Sequence, residues 1–310
     1  MATISVLLST YNGQKYITEQ IQSILKQTFS DFVLYIRDDG SSDDTLNIIH
    51  NLASTDSRIV VINDVSEDTN KNLGFGESFS TIAKYALTNS DASYFAFCDQ
   101  DDYWEEDKLE VALSYFEKAN SDTPTLFASN YYICDDTLNV TGTFNETNPM
   151  TGVTFENLFF EGVFPGFTMM INRKLAELSF DNNYSKDIYY HDKWVTLIAL
   201  GLNGQIIYSE KPLAKYRRHS DAVSSTNLGI IKKIKWRVDK VLNGDFCPRT
   251  RQMLKCFSEM FYGDVDSSIK HFLDTFNSSK IFKKTFYPKH LRRSFSGEVM
   301  LRLILLLGKL

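Results

Sequence analysis

The chain has 310 residues, 43% hydrophobic and 23% charged, which suits one large globular domain or two modest ones. Its net charge of −6 hides an uneven split: residues 229–310 carry 17 Lys+Arg against 7 Asp+Glu, while the other 228 carry 16 against 32. No apolar run approaches the roughly 20 residues of a spanning helix, Met1-Ala2-Thr3-Ile4 lacks the features of a signal peptide, and cysteines 98, 134, 247 and 256 have no CxxC spacing, which removes zinc and dithiol chemistry and fits a reducing cytoplasm.

In chain order, residues 4–8 form a continuous apolar run, as expected for a strand covered on both faces. Ile17, Ile21, Ile24 and Leu25 follow at helical spacing. Residues 32–36 predict a second strand ending at Arg37-Asp38-Asp39-Gly40. Ser42 or Asp43 is placed to cap a helix carrying Leu46, Ile49 and Leu52. A third strand over 59–62 precedes a helix marked by Phe79, Ile82, Ala83 and Ala86, and a fourth covers Tyr94–Cys98. This alternation predicts an α/β fold with a mostly parallel sheet flanked by helices, and in such sheets ligands bind beyond the carboxyl ends of the strands.

Those ends are polar here: Ser9-Thr10-Tyr11-Asn12, Asp38-Asp39, and Asp99-Gln100-Asp101-Asp102. Three carboxylates in four positions make a poor end for a core strand. They suit a hard divalent cation, which prefers oxygen ligands and commonly takes one or two carboxylates together with substrate phosphates. The same residues also suit an acidic turn, with Asp102 or Asp107 capping the next helix. Neither GxGxxG nor GxxxxGK[ST] occurs, so dinucleotide and P-loop readings lack support.

Further on, an aromatic segment over 155–164 leads to Pro165-Gly166-Phe167-Thr168, and Tyr189-Tyr190-His191-Asp192-Lys193-Trp194 opens an apolar helix. A strand over 206–208 leads to Tyr216-Arg217-Arg218-His219. From about residue 230 two apolar stripes, Ile231/Ile234/Val238 and Leu291/Phe295/Val299/Leu303, are lined by Lys and Arg. They predict a basic amphipathic helical region over 229–310, following one domain over 1–228. Within that domain, the regular alternation over 1–110 and the less regular 111–228 make two halves. Three partners are open for the stripes: an anionic membrane surface, the catalytic domain, or a second subunit in a homodimer. No nucleic-acid partner is expected.

Together, Ser5-Val6-Leu7-Leu8-Ser9-Thr10-Tyr11-Asn12, Asp38-Asp39-Gly40-Ser41-Ser42-Asp43, Asp99-Gln100-Asp101-Asp102, His191-Asp192 and Tyr216-Arg217-Arg218-His219 resemble the family 2 glycosyltransferases, over about residues 2–225. The resemblance implies the GT-A (Rossmann-like) fold with a C-terminal helical extension, with 1–110 as the nucleotide-sugar-binding half and 111–228 as the acceptor-binding half. The acidic motif followed by Trp104, and Gly166-Phe167-Thr168-Met169-Met170, look most like the bacterial rhamnosyltransferases that use dTDP-L-rhamnose to build polysaccharide on lipid carriers. Carried over, the resemblance implies that Thr10 and Tyr11 line the nucleotide pocket and that Asp39 accepts the base N–H. Asp99 supports the ribose or the metal. Asp101 and His219 meet Mn²⁺ or Mg²⁺ and the diphosphate, and Asp192 is the catalytic base. Gly166, Thr168, His191 and Trp194 fall in the donor-sugar or acceptor region. The implied enzyme is an inverting, metal-dependent transferase at the inner face of the cell membrane. Lys193 and Ala222 depart from the family pattern and put acceptor identity in doubt.

These roles agree with elementary chemistry. Uracil and thymine carry an imide N–H that a carboxylate can accept. A departing diphosphate needs its charge stabilised, and an attacking hydroxyl needs a base. Two other classes compete. A sugar-phosphate nucleotidyltransferase would need a Gly-rich basic loop that residues 9–13 lack, and a non-catalytic carbohydrate- or lipid-binding protein would have little reason to keep Asp39, Asp101, Asp192 and His219 together.

Overall fold

A computed structural model describes residues 3–62, 73–144, 147–182, 188–218 and 246–310. The chain divides into two units, one of residues 1–151 and 163–218, the other of 152–162 and 219–310. The boundary expected at 228/229, the stripe Ile231/Ile234/Val238 and His219 lie outside the described residues.

The first unit is built on one mixed sheet. Its first strands are β1 (Ile4–Thr10), β2 (Phe32–Asp38), β3 (Ile59–Val61) and β4 (Tyr94–Cys98), all parallel, in the order β3-β2-β1-β4. The sheet continues through β8 (Met169–Asn172), β6 (Thr125–Cys134), β9 (Gln205–Arg217) and β5 (Tyr103–Trp104), with β7 (Val140–Thr143) paired to β6. Beyond β4 the pairing changes character. β8 runs antiparallel to both β4 and β6, β6 and β9 are parallel, β5 pairs antiparallel with β9, and β7 forms an antiparallel hairpin with β6. The parallel half is the half that periodicity predicts. The antiparallel insertions β5 to β8 are short or broken by turns and leave a weak sequence signal.

Both faces of the parallel half are covered, which explains why its strands are apolar at consecutive positions. Ile4, Val6 and Leu8 of β1 pack with α1 (Ile17–Leu25), α2 (Thr45–Ala53) and α4 (Lys108–Phe116) through Ile21, Ile24, Ile49 and Leu109. On the other face α3 (Phe75–Asn89), α6 (Arg173–Phe180) and α7 (His191–Gly201) meet Phe97 of β4, whose ring contacts Phe79 and Phe180 edge-on. Each buried Ile, Leu or Phe of this kind stabilises the fold by about 1.5–3 kcal/mol. α2 begins one residue later than expected. Asp44, rather than Ser42 or Asp43, holds the cap position, and the Asp43 carboxylate instead accepts the Thr45 N–H at 3.1 Å.

The second unit clusters phenylalanines. Phe155, Phe159 and Phe160 of α5 (Phe155–Phe160) meet Phe257 of α8 (Phe246–Phe261) and Phe272 and Phe276 of α9 (Ser267–Asn277). Two further helices, α10 (Ile281–Thr285) and α11 (Phe295–Leu306), complete it. Among the described residues no helix is long and apolar enough to cross a membrane. All four cysteines are buried and none forms a disulfide.

Candidate active site

Parallel strands β1, β2 and β4 end on the same edge, so the loops that follow them face each other. The loop after β1 is locked by Gln100, at the centre of the acidic motif. Its Oε1 accepts from the Thr10 hydroxyl at 2.7 Å and the Tyr11 N–H at 2.9 Å, and its Nε2 donates to the Tyr11 carbonyl. Asn12 takes a positive φ of 48° to make this turn. Gly13 is required by close approach: a Cβ there would lie 2.4 Å from Gln100 Oε1. The loop after β2 is laced to it, with Asn12 N–H donating to Ser41 Oγ and Gly13 N–H to Thr45 Oγ1. Thr10 is consequently buried, while the Tyr11 ring stands 46% exposed beside the acidic loop.

Asp39 is buried at the head of this edge. Its carboxylate meets Arg37 at 2.5 Å and accepts the N–H groups of Leu73 and Gly74 at 2.9 and 2.8 Å. Ionised carboxylates offer about four acceptor positions, and the described residues fill three of them. Arg37 is a partner that sequence reading missed. Its signal is the two-residue spacing to Asp39, which puts both side chains on one face of an extended segment.

The acidic loop divides into two functions. Asp99 and Asp101 stay partly exposed, whereas Asp102 is turned inward. Burial, aided by the charges of Asp101 and Asp192, pushes the Asp99 carboxyl up to about 7. Among the described residues nothing donates a hydrogen bond to its side chain. Asp102 is raised well above the usual carboxylate range by burial and then by its acidic neighbours. It accepts the Arg217 N–H at 3.3 Å, and its second oxygen has no partner among the described residues. Lys108, also buried, donates to the Phe167 carbonyl at 2.9 Å and is lowered to about 7 by burial. Asp107, not Asp102, precedes α4.

Arg217, within the motif that closes the first unit, is turned inward. It is neither a solvated charge nor open to a diphosphate. Its guanidinium is buried and donates to the Asp101 carbonyl at 3.0 Å, the Asp136 carbonyl at 2.6 Å and Glu19 Oε2 at 2.6 Å. It thus holds the backbone of the acidic loop.

Asp192 lies in the first turn of α7, behind a cap position held by Tyr190. Its carboxylate accepts the Lys193 N–H of the same turn at 2.7 Å. Burial raises it to about 6. Its charge acts on Asp99, which places the two carboxylates in one electrostatic neighbourhood.

The remaining candidates form the wall behind Asp192. His191 is buried between Phe79 and Phe97, with ring centroids 4.0 and 4.9 Å away. Neither ring nitrogen has a hydrogen-bond partner among the described residues, and burial lowers its pKa to about 3, so it is neutral. Trp194 is fully buried and donates to the Ser179 carbonyl at 3.1 Å. Thr168 is fully buried with its hydroxyl on the Pro165 carbonyl at 2.7 Å. A Cβ on Gly166 would lie 2.4 Å from His191 Nε2. These four residues shape and support the wall; Thr168 and Trp194 do not face solvent.

The donor set fits a hard cation. Asp99 and Asp101 are oxygen donors that repel each other, and a cation between them relieves that repulsion. Among the described residues no group of three or more His, Cys, Asp or Glu could hold a metal alone. A site made of one or two carboxylates completed by substrate phosphates needs no such group.

The sequence matches the profile of Glycosyl transferase family 2 over residues 5–178. It is 31% identical over 236 residues to a dTDP-rhamnosyl transferase of Shigella flexneri, covering 74% of this chain and 77% of that one. It is 27% identical over 236 residues to a UDP-Glc:alpha-D-GlcNAc-diphosphoundecaprenol beta-1,3-glucosyltransferase of Escherichia coli, covering 76% and 84%. Among solved structures, S. aureus TarS 1–349 in complex with UDP-GlcNAc superposes with a TM-score of 0.59 at 19% identity, over 93% of this chain and 76% of that one. A mannosyltransferase from Pyrobaculum calidifontis in complex with GDP-Man and Mn²⁺ gives 0.52 at 13% identity, over 97% and 87%. Both structures share the GT-A fold with this chain.

The contact between Gly166 and His191 yields a test. Gly166→Ala forces the imidazole out of its aromatic slot, and overpacking of this kind costs about 1–3 kcal/mol. The melting temperature should fall, and so should turnover, because Asp192 is the next residue. A double-mutant cycle with His191→Ala should show a coupling above about 0.5 kcal/mol, the scale for side chains in contact. Additive effects would show that the ring is not what Gly166 accommodates.

Proposed function

The chain belongs to glycosyl transferase family 2 and is a glycosyltransferase, and on that premise we propose that it moves L-rhamnose from dTDP-β-L-rhamnose to a hydroxyl of a lipid-linked saccharide, with inversion, at the cytoplasmic face of the cell membrane. The observation that carries this reading is the gathering of Tyr11, Asp39, Asp99 and Asp101 on one strand edge, with Asp192 in electrostatic reach of Asp99. The donor is supported by the name of the Shigella relative, and a lipid-diphosphate acceptor by that of the E. coli relative. The latter name also favours a second reading, a UDP-hexose donor.

In this reading the Tyr11 ring packs on the base and the remaining acceptor position of Asp39 takes the imide N–H. Asp101, with Asp99 directly or through water, would hold Mn²⁺ or Mg²⁺, which supplies positive charge to a departing nucleoside diphosphate. Gln100 and Arg217 fix the loop that carries these carboxylates. Asp192 takes the proton from the acceptor hydroxyl as its oxygen bonds to the anomeric carbon. Burial suits it to this work, because a base is most effective when its pKa lies near the operating pH. His191 stays neutral and keeps the wall behind the base dry.

Asp192→Asn should preserve donor binding and lower turnover by about 100-fold or more, the scale of general-base catalysis. The wild-type rate should fall as pH drops through about 6, because Asp192 must be ionised to accept a proton. A rate independent of Asp192 would return it to a structural role.

Asp101→Ala should abolish transfer in a folded protein, and chelation should do the same to the wild type until Mn²⁺ or Mg²⁺ is restored. Full activity in excess EDTA would remove the metal from the scheme. With donors in competition, dTDP-β-L-rhamnose should outcompete UDP-glucose and UDP-N-acetylglucosamine. Preference for a UDP-sugar would establish the second reading instead.

A further inference from the structure

The second unit carries an apolar surface that nothing among the described residues covers. Phe295, Val299 and Leu303 recur at every fourth position of α11 and so share one face. Phe295 is 85% exposed, Leu303 54%, and Leu307 just beyond the helix 65%. The opposite face, through Leu301, Ile304 and Leu305, is the buried one. On neighbouring α10, Phe282 is 70% exposed, and Phe286 just after it 72%, their rings parallel with centroids 6.4 Å apart. Exposed aromatics and leucines in this number are uncommon on a protein that has only water to face.

This surface is held in place rather than left loose. Arg302 of α11 donates to the Thr285 and Lys289 carbonyls at 2.7 Å, and its Nε donates to Glu298 at 2.8 Å. Glu298 in turn accepts the N–H groups of Leu291 and Arg292 at 2.8 and 2.7 Å. These bonds fasten α11 to the end of α10 and to the connection between them.

Its charge identifies the occupant. Residues 278–310 contain eight Lys or Arg and one acid, Glu298, which is engaged internally. Lys280, Lys283 and Lys309 are exposed and form no ion pair among the described residues. We propose that α10 and α11 are the surface by which this protein lies on an anionic lipid bilayer, with Phe282, Phe286, Phe295 and Leu303 entering the headgroup–acyl boundary and the lysines meeting lipid phosphates. Apolar burial combined with attraction to anionic lipid is how interfacial helices bind, and each cation near such a surface strengthens partitioning roughly fivefold. A second copy of this chain would suit the phenylalanines but would bring the same positive charge against itself.

The inference stands apart from the donor assignment, and the test keeps them separate. The full chain is floated with vesicles of phosphatidylcholine and phosphatidylglycerol, and with phosphatidylcholine alone, at low and high salt. It should float with the anionic vesicles, less at high salt and least with the neutral ones. Phe286→Ser and Phe295→Ser should each weaken partitioning roughly tenfold, from the apolar burial lost. Both should leave the melting temperature and vesicle-free nucleotide-sugar hydrolysis unchanged, because these rings already stand in water. The proposal is overturned if the wild type stays at the bottom with anionic vesicles, or if both variants float like the wild type. It is equally overturned if light scattering shows a wild-type dimer that the variants break into monomers while neither binds vesicles.

Discussion

A single buried guanidinium, Arg217, holds together an edge that would otherwise repel itself. Asp99, Asp101 and Asp102 crowd the end of β4, and Glu19 and Asp136 lie close by. Arg217 sits among them at the end of β9, hydrogen-bonded to Glu19 and to two backbone carbonyls. The acids nearby carry a cost of their own. The carboxyls of Asp99 and Asp192, raised to about 7 and about 6, stabilise the fold fully only below their unfolded values, and that stabilisation is lost as pH rises through the folded ones. At neutral pH these acids work against folding, while Arg217 fixes the backbone that carries the loop.

Where the fold depends on a covered parallel sheet, the sequence was plain to read. β4 matches its apolar run at both ends, and the motifs after β1, β2 and β4 meet because parallel strands end together. The second half of the sheet was less legible. β6 is ten residues long but pairs with β9 across register shifts, one of them beside Pro212, and β8 is a four-residue insertion. Neither carries the simple alternation that marks a strand.

The site was legible in its acids and not in its supports. Asp39, Asp99, Asp101 and Asp192 stand out because they recur at the ends of parallel strands and at the start of a helix. Gln100, Arg37 and Arg217 act through backbone groups and through those acids, and nothing in a linear motif announces a hydrogen bond to a carbonyl more than one hundred residues away. His191, Thr168 and Trp194 illustrate the converse. Polar or amphipathic residues beside a base read as substrate contacts, yet each is buried by aromatic packing or by a local carbonyl.

The locked turn at Tyr11 bears on how one nucleotide is told from another. Its exposed ring offers a stacking face, and Asp39 behind it offers a carboxylate acceptor. Stacking and an imide N–H are common to uracil and thymine. Neither reads the thymine methyl through a polar contact, and neither touches the sugar. Discrimination between a ribose and a deoxyribose donor therefore falls to groups that can accept or refuse a 2′-hydroxyl. If Tyr11 and Asp39 hold the base as proposed, a mutation that exchanges one pyrimidine donor for the other is to be sought around the ribose rather than under the base.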